Sequence, residues 1–593
     1  MSYSCASCGY ISSTLVYTCG KRKFQIQVDK RNIYQKWRLH KNKKQSWVTL
    51  STLSHSSVEV KPTSHEAERK EYSWDRQAWL RGWENQEKEI NIEIDLENNE
   101  QNGVTGELPV DIRGTLFRVG PARFRVGSDI VRHPWDGDGM VAAITFDQKK
   151  IWFRNRFVRT KGYMKESSAN RILFRGTFGT QIPGGWLKNV LNIQMKNVAN
   201  TNVLLWNRRL WALWEGGLPY ELDPGNLITL GEKRFDTSIM SNFTAHPKIE
   251  TDTGRLIGFS SQLGVQSSQL TFYEWDENFT LLSQRKVRIP GFGFYHDFAI
   301  TPHYYILFQG PIDFTPWKFV LGLCSAAECM SFRKERPAKL FLVPRHSSAP
   351  VKELHVKSGF VFHFANAFEE EQEMNIDVVR VPDLFLGGIS EAKNKSVVEQ
   401  IDYESQVPRS CLYRYRVDLS GNGKCIEESL ILDRQVEFPI VHPNCIGKRH
   451  HIIYVGINAG QRVSPIQGVA KVNLVDGAVD MWIPKPFEFA VEPIFIPKEG
   501  FSSKRELSSE DEGYLITLVY DGKRNRSYYA ILDAQRVQNG PICTIQLPIA
   551  IPHGLHGMWS DELFSKKEAK QSSTYEIFYS KKWNTFQSDF PML

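Results

Sequence analysis

The sequence predicts an all-β protein built as a closed β-propeller. From about residue 107 onward, short runs rich in aromatic and β-branched residues recur, and most are bounded by Gly, Pro, Asp or Asn. Few long stretches keep a helical period, and a body with this many short strands is best closed radially, which protects the strand edges. No exact repeat is present, so a WD40 or kelch array is not predicted. The predicted strands are residues 151–158, 210–214, 256–261, 270–275, 304–309, 340–343, 360–364, 411–417, 451–455, 468–475, 513–520 and 527–532.

Length and composition exclude several classes of protein. The 593 residues are 41% hydrophobic and 24% charged, which is ordinary for a globular chain with a large core and unlike disordered, collagenous or coiled-coil proteins. No run reaches the ~18 apolar residues of a membrane-spanning helix. At this length four domains are conceivable, but large all-β folds also form single units.

The positive charge is confined to the N-terminus. Residues 1–57 hold ten Lys and Arg against one acidic residue, Asp29, and carry +9, so the rest of the chain carries −1 of the total +8. A basic leader rich in Ser and Thr is typical of an organelle transit peptide. The alternatives are a disordered basic tail and a nucleic-acid arm, but no basic stripe follows the leader, so no nucleic-acid partner is predicted. We expect a transit peptide over 1–57, a linker and wrapping segment over 58–106, and the propeller over 107–593.

Two apolar segments interrupt the β pattern. Residues 182–196 place Trp186, Leu187 and Leu191 at helical spacing, and residues 314–323 contain Phe319 and Leu321. One interpretation is a pair of amphipathic pieces that dip into one membrane leaflet. The alternative is helices that pack in the core.

Nine cysteines do not form a disulfide framework. The pair Cys5 and Cys8 has no second pair at zinc-finger spacing, and the six cysteines beyond the leader are scattered. This pattern is typical of reduced thiols in a cytosolic or organellar interior.

Four of the fifteen histidines stand out because apolar or aromatic runs surround them. They are His246, His296, His363 and His556. A charged imidazolium is costly in such surroundings, and their wide separation matches no zinc finger or HExxH site. It suits one ligand from each of four propeller blades, all directed at the axis. Taken singly, a buried histidine is more often a satisfied core residue than a ligand.

Around these histidines the chain resembles the carotenoid cleavage dioxygenase family, and as a whole it is most similar to the plastid zaxinone synthase group. The resembling motifs run in order from about 107 to 560: LFRVGPARF at 116–124, HPWDGDGMV at 133–141, NVANTNV at 197–203, LWALWEGGLPYEL at 210–222, VEFP at 436–439, VEPIFIP at 491–497 and EDEGYLITLVYD at 510–521. The resemblance implies a seven-bladed β-propeller with a helical and loop cap over an axial non-haem iron.

The resemblance also implies roles for individual residues. His246, His296, His363 and His556 correspond to the four iron ligands, and His553 is the near competitor of His556. Three further residues correspond to carboxylates that hold ligand imidazoles, while His296 is expected to lack such a partner. Those carboxylates are Glu215, Glu437 and Glu492.

The implied activity is dioxygenase cleavage of one C=C bond of a carotenoid or apocarotenoid, with Fe(II) as cofactor, O₂ as co-substrate and two carbonyl products. The subgroup implies cleavage of a hydroxylated apo-10′-carotenal at C13–C14 to give zaxinone. Alternatives are cleavage of a full-length carotenoid or of a strigolactone-pathway apocarotenoid, a trans–cis isomerase, and a non-catalytic carotenoid-binding scaffold. We expect an apolar polyene substrate, a plastid location that is stromal or membrane-peripheral, and no obligate protein partner. The expected membrane contacts are Trp186, Leu187, Leu191, Phe319 and Leu321.

Overall fold

The structure, a computed structural model, describes residues 73–564 except 85, 96–102, 149, 236–240, 388–394, 421–422 and 499–509, together with four backbone strands nearer the N-terminus. The chain divides into two compact units, Met1–Ala67 and Glu68–Leu593. In the first unit the four strands form one antiparallel sheet, in the order Ser13–Cys19, Arg22–Val28, Lys36–Leu39 and Ser46–Thr49. The remainder of the leader lies outside the described residues, so its role as a transit peptide stays a prediction.

The second unit is a seven-bladed β-propeller, as predicted. Each blade is an antiparallel sheet with its strands ordered from the axis outward. Blade 1 comprises Gly557–Ser560, Gly114–Arg123, Asp138–Asp147, Lys150–Phe157 and Asn91–Asp95. Blade 2 comprises Asn202–Trp206, Arg209–Leu213, Tyr220–Leu222 and Thr229–Glu232. Blade 3 comprises Lys248–Glu250, Arg255–Gln262, Ser267–Trp275 and Leu281–Pro290.

The second half of the ring has the same plan. Blade 4 comprises Ala299–Ile300, Tyr304–Gln309, Ala338–Pro344 and Lys352–Val356. Blade 5 comprises Phe360–Glu370, Glu373–Val381, Cys411–Asp418 and Lys424–Leu432. Blade 6 comprises Val436–Ile440, Ile452–Asn458, Ile466–Asn473 and Val479–Trp482. Blade 7 comprises Glu488–Ala490, Gly513–Asp521, Arg526–Asp533, Pro541–Gln546 and Val104–Gly106, and Ile494–Pro497 pairs with its second strand.

The two ends of the propeller close the ring. Gly557–Ser560 pairs antiparallel with Gly114–Arg123 and becomes the innermost strand of blade 1. Val104–Gly106 pairs with Pro541–Gln546 and becomes the outermost strand of blade 7. Because blades 1 and 7 each combine early and late parts of the chain, opening the ring would break strand pairing as well as side-chain packing.

The core lies between neighbouring blades. Between blades 1 and 7, Leu116 and Ile144 pack in one fully buried cluster with Ile516 and Ile531. The strands that carry these residues are buried on both faces, which explains their nearly continuous apolar sequence. All twelve strands predicted from the sequence are present, with ends shifted by at most three residues except in blade 5, where the strand predicted over 360–364 continues to Glu370.

Helices are few and short among the described residues. The α-helices are Arg76–Arg81, Lys161–Ala169, Trp317–Val320 and Tyr403–Gln406, and the 3₁₀ turns are Pro134–Asp136, Trp186–Lys188, Ala327–Cys329, Val397–Glu399, Pro443–Cys445 and Val537–Asn539. Two small two-stranded sheets complete the described structure: Arg125–Val126 with Asp129–Ile130, and Ile312–Phe314 with Met330–Phe332. Among the described helices, none has the length and apolar character needed to span a bilayer.

The amphipathic interpretation of residues 182–196 as a helix is wrong. Only Trp186–Lys188 is helical, and it follows Gly184 and Gly185, which both have positive φ. The Arg175 guanidinium accounts for the irregular path, because it donates to the carbonyls of Asn189 and Asn192 that a continuous helix would use internally.

Candidate metal centre

Four histidines meet on the propeller axis. The ring nitrogens of His246, His296, His363 and His556 all lie within 4.8 Å of one another, and Nε2 of His246 is 3.0 Å from Nε2 of His296. His246, His296 and His556 lie just before the innermost strands of blades 3, 4 and 1, and His363 lies within that of blade 5. The sequence placed one histidine on each of four blades, and the structure brings those four together.

Three carboxylates hold three of these imidazoles from behind. Glu215 Oε1 lies 3.1 Å from Nδ1 of His296, Glu437 Oε2 lies 2.6 Å from Nδ1 of His363, and Glu492 Oε1 lies 2.8 Å from Nδ1 of His556. The carboxylates come from blades 2, 6 and 7, so every blade contributes one member of this ring. Each contact fixes Nδ1 as the donor and directs Nε2 at the axis.

The expectation that His296 lacks a carboxylate partner is wrong. His296 pairs with Glu215, while none of the three carboxylates contacts His246, whose backbone N–H instead donates to Thr244 Oγ1 at 3.1 Å. The order of residues along the chain could not decide this pairing, because each contact crosses between blades.

Irregular backbone aims two of the strands at the axis. In blade 5 the register shifts between Val361 and His363, and Phe362 is the extra residue. In blade 6 the register shifts between Glu437 and Ile440, and Phe438 adopts φ +55°. In a regular strand, adjacent side chains face opposite ways, but these bulges let both neighbours in each pair line one cavity.

Burial keeps two of the imidazoles neutral. Desolvation, followed by the neighbouring imidazoles, holds the pKa of His246 and of His556 well below the ordinary value. At His296 burial also lowers the pKa, but the hydrogen bond to Glu215 and the charge of that carboxylate outweigh burial and raise the pKa. Neutral imidazole is the form that binds a metal ion.

The carboxylates differ in their electrostatics. Burial raises the pKa of Glu492 to about 7, against the opposing charge of Arg118 and the Gly557 N–H. Burial would also raise the pKa of Glu215, but the hydrogen bond and charge of His296 hold that pKa below its ordinary value.

The donor set fits a metal ion. Nε2 of His363 is buried and has no hydrogen-bond partner, although a buried polar atom is normally paired. Two nitrogen ligands about 2.1 Å from one ion and at right angles would be about 3 Å apart, which is the separation of His246 Nε2 from His296 Nε2. Four converging imidazoles and one orphaned nitrogen therefore define a candidate metal centre.

His553, the near competitor of His556, does not join this cluster. Its Nε2 donates to the Trp79 carbonyl at 3.0 Å, and its ring stacks on the Trp79 indole with centroids 6.0 Å apart. Burial lowers the pKa of His553 to about 4. It is a core histidine that anchors the helix Arg76–Arg81 to the propeller.

An aromatic cavity of about 210 Å³ opens beside the cluster, and His296, His363 and His556 form part of its wall. Its apolar lining includes Trp135, Phe178, Trp214, Phe294, Phe362, Val381, Phe385 and Phe438. Most of these residues lie on connections between strands, which together cap this end of the axis. His246 faces a second cavity, of about 560 Å³, which is lined by inner-strand residues such as Asn202 and Ala299.

Several supporting residues were not predicted from the sequence. Arg118 Nη1 donates to the Glu492 carbonyl at 2.9 Å and lies 3.9 Å from its carboxylate. Asp136 accepts from the backbone N–H groups of Phe178 and Thr180, each at 2.9 Å, and so fixes one cavity wall. Both residues fall in motifs that carry the family resemblance, at 116–124 and 133–141, and that was the only signal for them in the sequence.

Four of the five predicted membrane-contact residues are exposed. Trp186, Leu187, Leu191 and Leu321 are 53%, 69%, 75% and 43% exposed. Phe319 is wrong in this role, because it is 8% exposed and its ring packs on the Arg175 guanidinium at 3.8 Å. Ile193, Trp317 and Leu323 are exposed on the same two segments. We call these seven exposed residues the apolar rim.

Comparisons with known proteins agree with this geometry. Residues 88–561 match the retinal pigment epithelial membrane protein family. Apocarotenoid-15,15′-oxygenase of Synechocystis is 36% identical over 84% of this chain and 99% of its own length. Rice carotenoid cleavage dioxygenase 7, chloroplastic, is 27% identical over 77% of this chain and 87% of its own length. Isoeugenol monooxygenase of Pseudomonas nitroreducens is 29% identical over 79% of this chain and 95% of its own length.

Solved structures give the same result for the fold. The crystal structure of cobalt-substituted Synechocystis apocarotenoid oxygenase superposes with a TM-score of 0.76 at 36% identity, covering 82% of this chain and 99% of that one.

Proposed function

Because this chain belongs to the retinal pigment epithelial membrane protein family, the family of the carotenoid cleavage dioxygenases, we propose that its axial centre holds one Fe(II) ion and that it cleaves one double bond of an apocarotenoid with O₂. The protein is an oxygenase of this family. The observation that carries the proposal is the ring of four histidines and three paired carboxylates beside an aromatic cavity.

The protein residues hold and orient the reacting partners. His246, His296, His363 and His556 would ligate the iron, which supplies the activation of O₂ that double-bond cleavage needs. The carboxylates behind three of the ligands fix tautomer and direction. With three carboxylates around a divalent ion, the buried centre would carry a formal charge near −1 rather than +2.

The cavity favours a hydrocarbon polyene over a phenol. Aromatic and aliphatic side chains dominate its wall, and no lysine or arginine is present among the described residues that line it. A phenol would exchange the hydrogen bonds of its hydroxyl with water for contacts to the few polar groups of this wall. The polyene chain of an apocarotenoid has no hydrogen bonds to lose on entering this cavity, and it gains contact with flat aromatic faces.

Within the apocarotenoids, we favour a hydroxylated apo-10′-carotenal cut at C13–C14 to give zaxinone. The support for this subgroup is the overall resemblance of the sequence, together with residues 135–146, which depart from the pattern of the abundant plant members. The Synechocystis relative is named for the 15,15′ bond instead. The chemistry separates the two bonds, because C13 carries a methyl group and yields a ketone, whereas cleavage at 15,15′ yields aldehydes only.

A labelled-oxygen assay tests the activity and the bond together. Iron-loaded protein is incubated under ¹⁸O₂ with 3-hydroxy-apo-10′-carotenal, with β-apo-8′-carotenal and with a full-length carotenoid, and the products are identified by mass spectrometry. We expect a labelled methyl ketone from the first substrate and little conversion of the full-length carotenoid. A product of unchanged mass would indicate a trans–cis isomerase, and binding without turnover would indicate a scaffold protein; either result contradicts the proposal.

We also propose that the apolar rim rests on a membrane, from which a water-insoluble substrate enters. The rim consists of two neighbouring segments, because the Leu191 N–H donates to the Val320 carbonyl at 2.8 Å. Lys188 and Lys318 are exposed beside it, which adds attraction for anionic lipid headgroups.

Replacing Leu187, Leu191 and Leu321 together by serine should weaken binding to anionic liposomes by about tenfold or more, given ~1.5–3 kcal/mol for each fully buried leucine. Cosedimentation measures this binding. Val110→Ser with Val475→Ser is the matched control, since these valines are 89% and 74% exposed on other parts of the surface. Equal binding of the two variants, or no binding by the wild type, would refute the rim as a membrane contact.

A further inference from the structure

We propose that Cys324 and Cys329 form a redox-sensitive thiol pair, which closes reversibly to a disulfide and changes the packing of the segment between the apolar rim and the cavity. The pair lies outside the metal centre, and its oxidation does not depend on the proposed function.

The two thiols are already adjacent. Their Sγ atoms are 3.4 Å apart, and both cysteines are free. A disulfide requires ~2 Å between the sulfurs, so a small rotation of the side chains brings them to bonding distance. Cys324 is half-buried and Cys329 is 2% exposed, which gives one thiol that a small reagent can reach and one protected thiol behind it.

A metal site at this pair is less favoured. Among the described residues, the only group of three or more His, Cys, Asp or Glu side chains that converge for a metal is the axial cluster. Two thiols with no third ligand make a poor site for zinc, which takes four ligands.

The pair is joined to the cavity wall through Arg175 and Thr177. Arg175 Nη2 donates to the Cys324 carbonyl at 2.6 Å, and the Ala327 N–H donates to the Thr177 carbonyl at 2.9 Å. The next residue, Phe178, lines the cavity beside Trp135, with ring centroids 5.1 Å apart. Arg175 Nη1 also donates to the Phe319 carbonyl at 2.8 Å, below the rim. Direct hydrogen bonds therefore transmit a shift of the Cys324–Cys329 turn to the cavity wall and to the apolar rim.

The chemistry is a two-step exchange with a small-molecule disulfide as oxidant. The Cys324 thiolate attacks one sulfur of the reagent, which forms a mixed disulfide and releases one thiolate. The Cys329 thiolate then attacks Cys324 Sγ and releases the second. The protein loses two electrons and two protons, and the reagent gains them as two thiols. Burial, together with the Cys329 contact, raises the pKa of Cys324 to about 12, so the exchange is slow at neutral pH and needs excess reagent.

The test uses the full-length protein and glutathione disulfide in excess. After blocking of free thiols by iodoacetamide, a tryptic peptide that contains residues 319–333 is analysed without reduction. We expect it to be lighter by two hydrogen atoms, with loss of alkylation at both cysteines, and to regain both alkylation sites after dithiothreitol. Hydrogen–deuterium exchange at the amides of Leu191 and Ala327 should differ between oxidised and reduced protein.

Three variants control this result. Cys324→Ser and Cys329→Ser should each lose both the mass change and the exchange difference. Each thiol is replaced in a separate variant, so that the test still stands if one of the two variants misfolds. Cys425→Ser should keep both responses, because Cys425 is half-buried on blade 5 with its Sγ beside the Glu427 carbonyl. A stable glutathione adduct on Cys324 with an alkylatable Cys329, or a disulfide with unchanged exchange at Leu191 and Ala327, would overturn the proposal.

Discussion

Replacing His363 by alanine should abolish both iron retention and double-bond cleavage. The variant removes the proposed ligand whose Nε2 is buried without a partner, and it leaves the Glu437 carboxylate, 2.6 Å from the lost Nδ1, without that contact. Three imidazoles would then remain, and the Glu437 carboxylate would be left without its histidine partner. An unpaired charge in a buried site costs stability. Iron per protein, measured by inductively coupled plasma mass spectrometry, should fall to background together with product formation.

The control for this variant is His355→Ala. His355 lies in the outermost strand of blade 4, its side chain is 61% exposed, and it pairs with Glu353. This variant should keep wild-type iron content and activity, with an unchanged melting temperature. Full cleavage activity in His363→Ala would remove the axial cluster from the mechanism.

Replacing Glu437 by glutamine should weaken iron binding by about 10- to 100-fold, the usual cost of losing a partner of a metal-bound histidine. The amide keeps the size of the side chain but removes the negative charge that orients and polarises His363. A competition titration with a chelator of known affinity measures the change, and turnover at saturating iron shows whether the charge also affects the reaction.

Glu369→Gln is the matched control for this second variant. Glu369 also pairs with a histidine, His303, at 2.9 Å, but that histidine is 71% exposed at the surface. The same chemical change there should leave iron affinity unaltered. Equal losses in the two variants would indicate a general effect on stability, and no loss in either would contradict the role of Glu437.

The sequence predicted the outer architecture well and the inner strands poorly. The predicted strands, such as 304–309 and 513–520, lie between other strands and blades, so they are buried on both faces and read as apolar runs. The innermost strands of blades 3 and 4 are three and two residues long, which is too short for a recognisable strand pattern in the sequence.

The pairing of ligands and carboxylates depended on tertiary structure. From the sequence, His296 was expected to stand alone, but it pairs with Glu215 at 81 positions' separation, a contact that only the ring of blades brings about. Phe319 is a second example. Its hydrophobic sequence context predicted a membrane contact, but in the structure its ring packs on Arg175 in the interior.

The sequence alone predicted the all-β class and the identity of the seven axial side chains, because burial and family motifs leave local patterns of residue type. The three-dimensional structure was needed to show which carboxylate holds which histidine, which aromatic residues line the cavity, and that Cys324 lies against Cys329. Those contacts depend on strand register, on the bulges at Phe362 and Phe438, and on closure of the ring, none of which leaves a periodic signal along the chain.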